Sequence, residues 1–275
     1  MKTPRAQHIA DADCDTLTIF AVDRGFCAHA SAGKDASVLI DCGVNDAADF
    51  RPSSWLDGFD GAPPLSDLVL SVYQEDYIAD LPGVLQRFGS ATIHVNPSII
   101  TAWEPILANH IEPKLAEPGS RYRAQDVSLR GEGASGGRAP MTLRFFHNNY
   151  PEFTDSANLS VATLLSANTF DVLIGAGMGV DGWRALLRRE DFRDRLRAVD
   201  VFVASSFGRR SGYCAGLFEI CEPRLIIVPD AASKVPVDTE RYARHVSGLR
   251  FTDGSYRYTL FTRADGLRGT DDKGR

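Results

Sequence analysis

Short apolar runs, separated by polar and glycine-rich segments, recur along the whole chain. Residues 16–22, 36–42 and 67–72 have the length and apolar content of buried strands. Residues 78–88 and 181–189 show helical periodicity, and each follows a strand or a glycine-rich turn. Strands that alternate with helices in this way predict an α/β protein.

The same pattern predicts the remaining elements. Further strands are expected at residues 91–95, 141–146, 159–165, 171–174, 200–204, 224–228, 250–252 and 256–262, the last two as a hairpin. Further helices are expected at residues 97–107, 191–198, 213–220 and 239–246. Two connections complete the pattern, a hairpin-like one over residues 23–34 and a surface excursion rich in Asp, Gly and Pro over residues 45–64.

No linker divides these elements, so residues 1–275 are predicted to form a single domain. Within it we expect a loose arm at residues 1–14 and a charged tail at residues 266–275. Residues 117–140 have no apolar period and many Gly, Arg, Ser and Glu residues, which predicts a flexible loop.

Composition narrows the classes of function. The net charge of −6 does not favour a nucleic-acid-binding surface, because phosphate binding needs a clustered positive field. No stretch resembles a signal peptide or approaches the roughly 20 apolar residues of a membrane span. The five cysteines contain no CxxC pair, which predicts reduced thiols in a cytoplasmic protein; they are Cys14, Cys27, Cys42, Cys214 and Cys221.

Residues 68–82, with the sequence LVLSVYQEDYIADLP, carry the strongest candidate chemistry. The apolar strand ends in the polar residues 73–76 and is followed by a helix, which is where α/β proteins normally place functional side chains. Asp76 is the best single candidate in this stretch. The competing interpretation is that Asp76 caps a helix that begins near Tyr77.

The order of several motifs is informative beyond this stretch. The motifs are D-C-G at residues 41–43, V-Y-Q-E-D-Y at 72–77 before L-P at 81–82, N-L-S at 158–160, G-A-G-M at 175–178 and S-S-F-G at 205–208. In this order they resemble the metallo-β-lactamase fold superfamily of metallohydrolases, in particular its competence-type branch from DNA-internalisation proteins. The resemblance runs from residue 16 to residue 262 and implies a four-layer αββα sandwich.

The resemblance also implies two metal ions, usually zinc, held by His and Asp at these strand ends, with a metal-bound hydroxide as nucleophile. This sequence keeps only Asp76 of that ligand set. One carboxylate, even with Gln74 and Glu75 nearby, cannot hold two zinc ions, so we expect no metal and no other cofactor. The residues that stand in the ligand positions are Val72, Gln74, Tyr77, Gly177 or Met178, and Ser206 or Phe207.

Two groups of residues remain candidates at the strand ends. Asp76 and His147 are the candidate catalytic pair, since His147 lies in the turn that follows the strand at residues 141–146. The competing interpretation of His147 is a hydrogen-bonded structural histidine. The residues expected to line the emptied cleft and bind a ligand are Asp41, Tyr73, Gln74, Tyr77, Ser206 and Arg209.

Three functions stay open. The leading hypothesis is a non-catalytic binding or scaffold subunit that acts with a protein partner or as a homo-oligomer, including within a multi-protein bacterial system. The rival is a metal-dependent hydrolase of phosphoesters or nucleic acid, with a reduced or rearranged site built on Asp76 and His147, to which Glu75 or Asp41 is a candidate addition. The third is a sensor whose cleft binds a small molecule between Tyr73, Tyr77 and Arg209.

Overall fold

A computed structural model describes residues 15–33, 36–58, 63–99, 126–129, 141–167, 170–229, 239–251 and 253–262. The strands are β1 (Thr16–Ile19), β2 (Ala28–Ala32), β3 (Ala36–Ile40), β4 (Leu65–Val69), β5 (Thr92–His94), β6 (Val127–Leu129), β7 (Met141–Phe146), β8 (Ala162–Ala167), β9 (Phe170–Ile174), β10 (Val201–Val203), β11 (Leu225–Val228), β12 (Leu249–Arg250), β13 (Tyr256–Arg257) and β14 (Thr259–Phe261). The α-helices are α1 (Pro52–Asp57), α2 (Leu81–Phe88), α3 (Val180–Leu186), α4 (Glu190–Leu196), α5 (Ala215–Phe218) and α6 (Thr239–Ala243).

Two large sheets form the centre of the molecule. The first has the order β1-β2-β3-β4-β5, antiparallel as far as β3 and parallel from β3 to β5. The second has the order β14-β11-β10-β9-β8-β7-β6, parallel from β14 to β9 and antiparallel from β9 to β6. Each sheet therefore contains parallel strands whose carboxyl ends meet at one edge, where side chains from distant parts of the chain come together.

The hydrophobic residues separate into three layers. The cluster between the sheets includes Ile40 from the first sheet and Val203 from the second. An outer cluster joins the first sheet to α1 and α2, with Leu68 and Leu81 at its centre. A second outer cluster joins the other sheet to α3, α4, α5 and α6 around the fully buried Trp183. The predicted four-layer αββα arrangement is therefore confirmed.

Several predicted connections contain regular structure. Residues 23–34 include β2, which was missed because its sequence, AHASA, lacks the β-branched and aromatic residues that favour strands. All five of its residues are buried, since small alanine side chains let the two sheets approach. Residues 45–64 include α1, and residues 117–140 include β6, which pairs with β7.

The chain around residues 70–80 also differs from the prediction. The strand expected at residues 67–72 ends at Val69, because the Ser71 backbone turns away from the ladder to bond Asp41 and Val161. The helix expected from residue 78 begins at Leu81, after a series of turns. Pro82 in its first turn has no N–H that the helix would need to satisfy.

At the chain's C-terminal side, β12 and β13 form the expected hairpin, while β14 instead extends the second sheet parallel to β11. The helix expected at residues 97–107 is represented by a single 3-10 turn at Pro97–Ile99, and the rest of it lies outside the described residues. The predicted arm and charged tail lie outside them too. None of the helices that the structure describes has the length and apolar character to cross a bilayer.

The cysteines are divided between the two outer clusters. Cys27 and Cys42 lie in the cluster beneath α1 and α2, and Cys214 and Cys221 in the cluster on the opposite side. All four are free and buried, in agreement with the predicted reduced thiols, and Cys14 lies outside the described residues. Burial raises the pKa of each of these four thiols.

Candidate functional site

Asp41 is a buried anchor at the end of β3. Its carboxylate accepts a hydrogen bond from the Ser71 backbone N–H at 2.7 Å and another from the Ser71 hydroxyl. Its backbone has a φ of 59°, in the left-handed region, which aims the side chain beneath the segment that follows β4. Burial raises the pKa of Asp41 to about 7, although the hydrogen bonds from Ser71 and Val72 act in the opposite direction. The carboxylate thus holds the segment that carries Val72.

Val72, Ser160 and Gly177 converge where the strand ends of the two sheets meet. A Cβ atom placed on Gly177 would lie 2.7 Å from Val72 Cγ2 and 3.0 Å from Ser160 Oγ. The distance to Val72 is shorter than real side chains tolerate and the distance to Ser160 is tight, so this point is already filled by the Val72 methyl group. Val72 is 1% exposed and belongs to the cluster between the sheets.

Two aromatic rings pack with the same inter-sheet cluster. The rings of Tyr77 and Phe207 lie with their centroids 5.8 Å apart. Together with Phe26, Val203 and other apolar residues they line a shallow depression that has no room for a water molecule. Burial raises the pKa of Tyr77, the charge of Asp41 raises it further, and the field of Arg209 lowers it.

The segment after β10 forms a left-handed turn. Ser206, Phe207 and Gly208 have φ values of 48°, 60° and 69°. Such angles strain residues that carry a Cβ, by about 1 kcal/mol or more each. The turn is held by hydrogen bonds from the Ser206 N–H to Ala176 O at 2.7 Å and from the Ser206 hydroxyl to Gly177 O at 3.0 Å. It leaves Phe207 half-exposed beside Tyr77.

Ser205, immediately before this turn, has a structural environment. Its hydroxyl accepts a hydrogen bond from Trp183 Nε1 at 3.0 Å and donates one to Gly212 O at 2.8 Å. The residue is fully buried. The seryl oxygen therefore ties the turn after β10 to α3.

The exposed candidates lie around the rim. Asp76 is exposed and stands well before α2, whose N-cap residue is Asp80, so the interpretation of Asp76 as a helix cap is wrong. Gln74 is also exposed and donates a hydrogen bond to Ser156 Oγ at 2.7 Å. Tyr73, in contrast, packs in the outer cluster of the first sheet, on the side away from Tyr77.

His147 lies beside β7 and the start of α4. Burial and the charge of Arg189 lower its pKa, while a hydrogen bond with Asn148 O acts in the opposite direction. Arg189 donates a hydrogen bond to the His147 carbonyl oxygen at 3.2 Å. Across the described ranges, no hydrogen bond or ion pair joins His147 to Asp76. The structure does not bring the candidate catalytic pair into contact, and a catalytic role for either residue stays a prediction.

The two zinc ions that the resemblance implies do not fit these residues. Zinc in proteins is held by Cys, His, Asp or Glu, usually four ligands to each ion. In the part of the chain that the structure describes, no three such side chains are grouped so that they could hold a metal ion. The Val72 methyl group occupies the space next to Gly177, and Val72 and Tyr77 both belong to the apolar cluster between the sheets. An apolar cluster thus stands where the ligands would converge.

Two contributors to this arrangement were not found from the sequence. Phe26 forms part of the apolar floor, although it lies in a segment predicted to be a connection. The contact between Val72 and Gly177 joins residues that are far apart in the sequence. The missing side chain of Gly177 was a signal, since a glycine beyond a strand often marks close approach of another chain segment.

Comparisons with known proteins bear on the fold. No protein-family model matches the sequence, and none of the curated proteins matches it. The metallo-β-lactamase fold protein YhfI from Bacillus subtilis superposes with a TM-score of 0.51 at 15% identity, over 89% of this chain and 94% of that one. A structure of the CmlA β-hydroxylase superposes with a TM-score of 0.54 at 14% identity, over 90% of this chain and 52% of that one.

The agreement with YhfI spans nearly the full length of both chains. In this chain the covered length contains two large sheets with helices on their outer faces. Identity this low carries the fold and no activity. The chain therefore has the metallo-β-lactamase fold.

Proposed function

We propose that this protein is a non-catalytic member of the metallo-β-lactamase fold that works as a binding or scaffold subunit in the cytoplasm. The observation that carries the proposal is the packing of Val72 against Gly177 at the strand ends. A site that had only lost its ligands would retain an open polar cavity. Here, Val72 of the inter-sheet cluster fills the space next to Gly177, and the rings of Tyr77 and Phe207 belong to or pack on the same cluster.

The buried polar groups near this centre support the same proposal. Both oxygens of Asp41 are used by Ser71, and the Ser206 hydroxyl is used by Gly177 O. The Asp41 oxygens accept hydrogen bonds from Ser71, and the Ser206 hydroxyl donates its hydrogen to a backbone carbonyl, so each group has a structural partner within the fold. These groups therefore stabilise the strand-end loops.

A small-molecule sensor is less well supported. Ligand sites usually have volumes of about 300–1,000 Å³, whereas the depression beside Tyr77 has no room for even one water molecule. Asp41, one of the predicted cleft residues, is fully buried. A shallow depression with an exposed rim suits a protein partner better than it suits a small molecule.

The proposal is tested by measuring zinc in purified, tag-free protein by elemental mass spectrometry after exposure to excess zinc and dialysis. We expect far less than one equivalent per chain. A zinc-binding protein of the same fold, treated in parallel, is the control for metal loss during dialysis. One or more tightly held equivalents in this protein would refute the proposal.

A further inference from the structure

The segment between β4 and α2 is fastened to the end of β3. We define the strand-end segment as residues 70–80, which contain turns and no helix or strand. At its start the Ser71 N–H and hydroxyl both donate hydrogen bonds to the Asp41 carboxylate. Further along, the Tyr77 carbonyl oxygen accepts a hydrogen bond from the Cys42 N–H at 2.7 Å. Of these bonding groups, the Asp41 carboxylate is the one that can change its charge near neutral pH.

Asp41 is buried without a countercharge. The residue is 0% exposed, and its hydrogen-bond donors are neutral groups of Ser71 and Val72. None of the arginines, lysines and histidines in the described ranges forms an ion pair with it. Ionisation of a carboxyl group in such a place is unfavourable, because neutral donors replace only part of the lost hydration. Any movement that brings water to Asp41 therefore stabilises its charged form.

The titratable groups around Asp41 supply no compensating charge. Burial raises the pKa of Cys27, Cys42 and Tyr77, and the charge of Asp41 raises each of these pKa values further. All three groups are therefore neutral at the pH where Asp41 ionises. Asp80, the carboxyl group that also raises the pKa of both thiols, brings no positive charge.

The strand-end segment is the part of this enclosure that can move with the least loss of structure. The ladders that join β3 to β2 and β4 extend as far as Ile40, and the Asp41 N–H continues them with a hydrogen bond to Val69 O at 2.8 Å. The strand-end segment has no such ladder, and its residues 74–76 are exposed. Segments of this kind open locally at a lower free energy than paired strands do.

We infer that ionisation of Asp41 opens the strand-end segment while the two sheets stay folded, so that the segment acts as a pH-sensitive clasp. Protonated Asp41 keeps the clasp closed, and the charged form releases Ser71 as the carboxylate becomes hydrated. Movement of Ser71 also breaks the hydrogen bond from the Val161 N–H to Ser71 O, at 2.8 Å, which ties the segment to the second sheet. The inference goes beyond the proposed binding role, which the zinc measurement tests separately.

The size of the effect follows from the two pKa values of Asp41, which are 3.8 in the open state and about 7 in the fold. A raised pKa in the folded state gives stability that is complete below the lower value and is lost as the pH rises through the higher one. The equilibrium constant for opening should therefore rise about tenfold between pH 6 and pH 8 and level off at higher pH.

Hydrogen exchange of the full-length protein, followed by mass spectrometry, measures this equilibrium after correction for the intrinsic pH dependence of exchange. We expect peptides that contain the Ser71 and Val161 amides to show the tenfold increase, at a lower opening free energy than peptides from β9. Low concentrations of urea should leave their exchange unchanged, because a local opening exposes little new surface. Equal protection and equal urea sensitivity of both regions would overturn the inference, since Asp41 would then ionise only on global unfolding.

Two variants attribute the opening to this carboxyl group. Asp41→Asn cannot ionise and should abolish the pH dependence, whereas the control Asp49→Asn, at an exposed position, should retain it. Ser71→Ala removes a hydroxyl whose hydrogen bond lowers the pKa of Asp41, so in this variant the increase should continue to higher pH. An increase that persists in Asp41→Asn, or that levels off at the same pH in Ser71→Ala as in the wild type, would each contradict the clasp.

Discussion

Asp41→Asn should make the protein more stable at neutral pH while changing little in acid. The fold raises the pKa of this carboxyl from 3.8 to about 7, because burial disfavours its charged form. A group whose pKa is raised in the folded state contributes stability that is fully present below the unfolded pKa. That contribution is lost as the pH rises through the folded pKa. The amide that the substitution introduces does not ionise, so the variant avoids this loss.

The size of the stability change follows from the interval between the ordinary pKa of Asp41, 3.8, and its pKa of about 7 in the fold. Each pH unit between the two pKa values changes the free energy of unfolding by up to about 1.4 kcal/mol, so the full interval is worth about 4 kcal/mol. Between about pH 5 and pH 8 the stability of the variant relative to the wild type should rise by about 2.5 kcal/mol. The Asn side chain can still accept the Ser71 N–H and tolerates the left-handed backbone.

Urea unfolding of both proteins at several pH values between these limits measures the difference. Asp49→Asn is the matched control, because Asp49 also has a positive φ, of 52°, and its side chain is exposed. A stability difference between Asp41→Asn and wild type that stays constant across this range would refute the reasoning.

Two further predictions, one about packing and one about buried hydrogen bonds, use the same unfolding measurement. Gly177→Ala should cost about 1–3 kcal/mol by overpacking against Val72, and Val72→Ala about 2 kcal/mol through the cavity it leaves. The double variant should cost at least about 1 kcal/mol less than the sum, because the new methyl group enters that cavity; additive costs would contradict the contact. Ser205→Ala should cost about 2–3 kcal/mol, since it leaves the Trp183 N–H and the Gly212 carbonyl buried without a partner. A loss below about 0.5 kcal/mol would exclude that role for Ser205.

Strands with a clear apolar pattern were predicted accurately from the sequence. The strand expected at residues 141–146 is β7 itself, whose alternation of buried and half-buried residues reflects one face against the core. The strand expected at residues 159–165 is displaced to Ala162–Ala167. The displacement arises because Val161 donates its N–H to Ser71 O in the other sheet and so cannot begin the ladder. Local patterns carry no information about such contacts between sheets.

The candidate site shows the same limit. The sequence was enough to show that the ligand set is incomplete, because that depends on residue types at fixed spacings. It was not enough to show that Val72 fills the vacated space or that Phe207 is held in a left-handed turn. Those features depend on the approach of β4 and β9 from different sheets. The position of Tyr73, buried on the far side of the first sheet, depends on where β4 ends.

The division of the buried cysteines gives the molecule two internal reporters of motion. A thiol reagent can reach Cys27 or Cys42 only when the first sheet separates from α1 and α2, and Cys214 or Cys221 only when the second outer layer opens. Because their raised pKa values keep these thiols protonated and unreactive while buried, alkylation records the opening events themselves. Peptide mapping of the modified cysteines would therefore give separate opening free energies for the two outer layers of the sandwich.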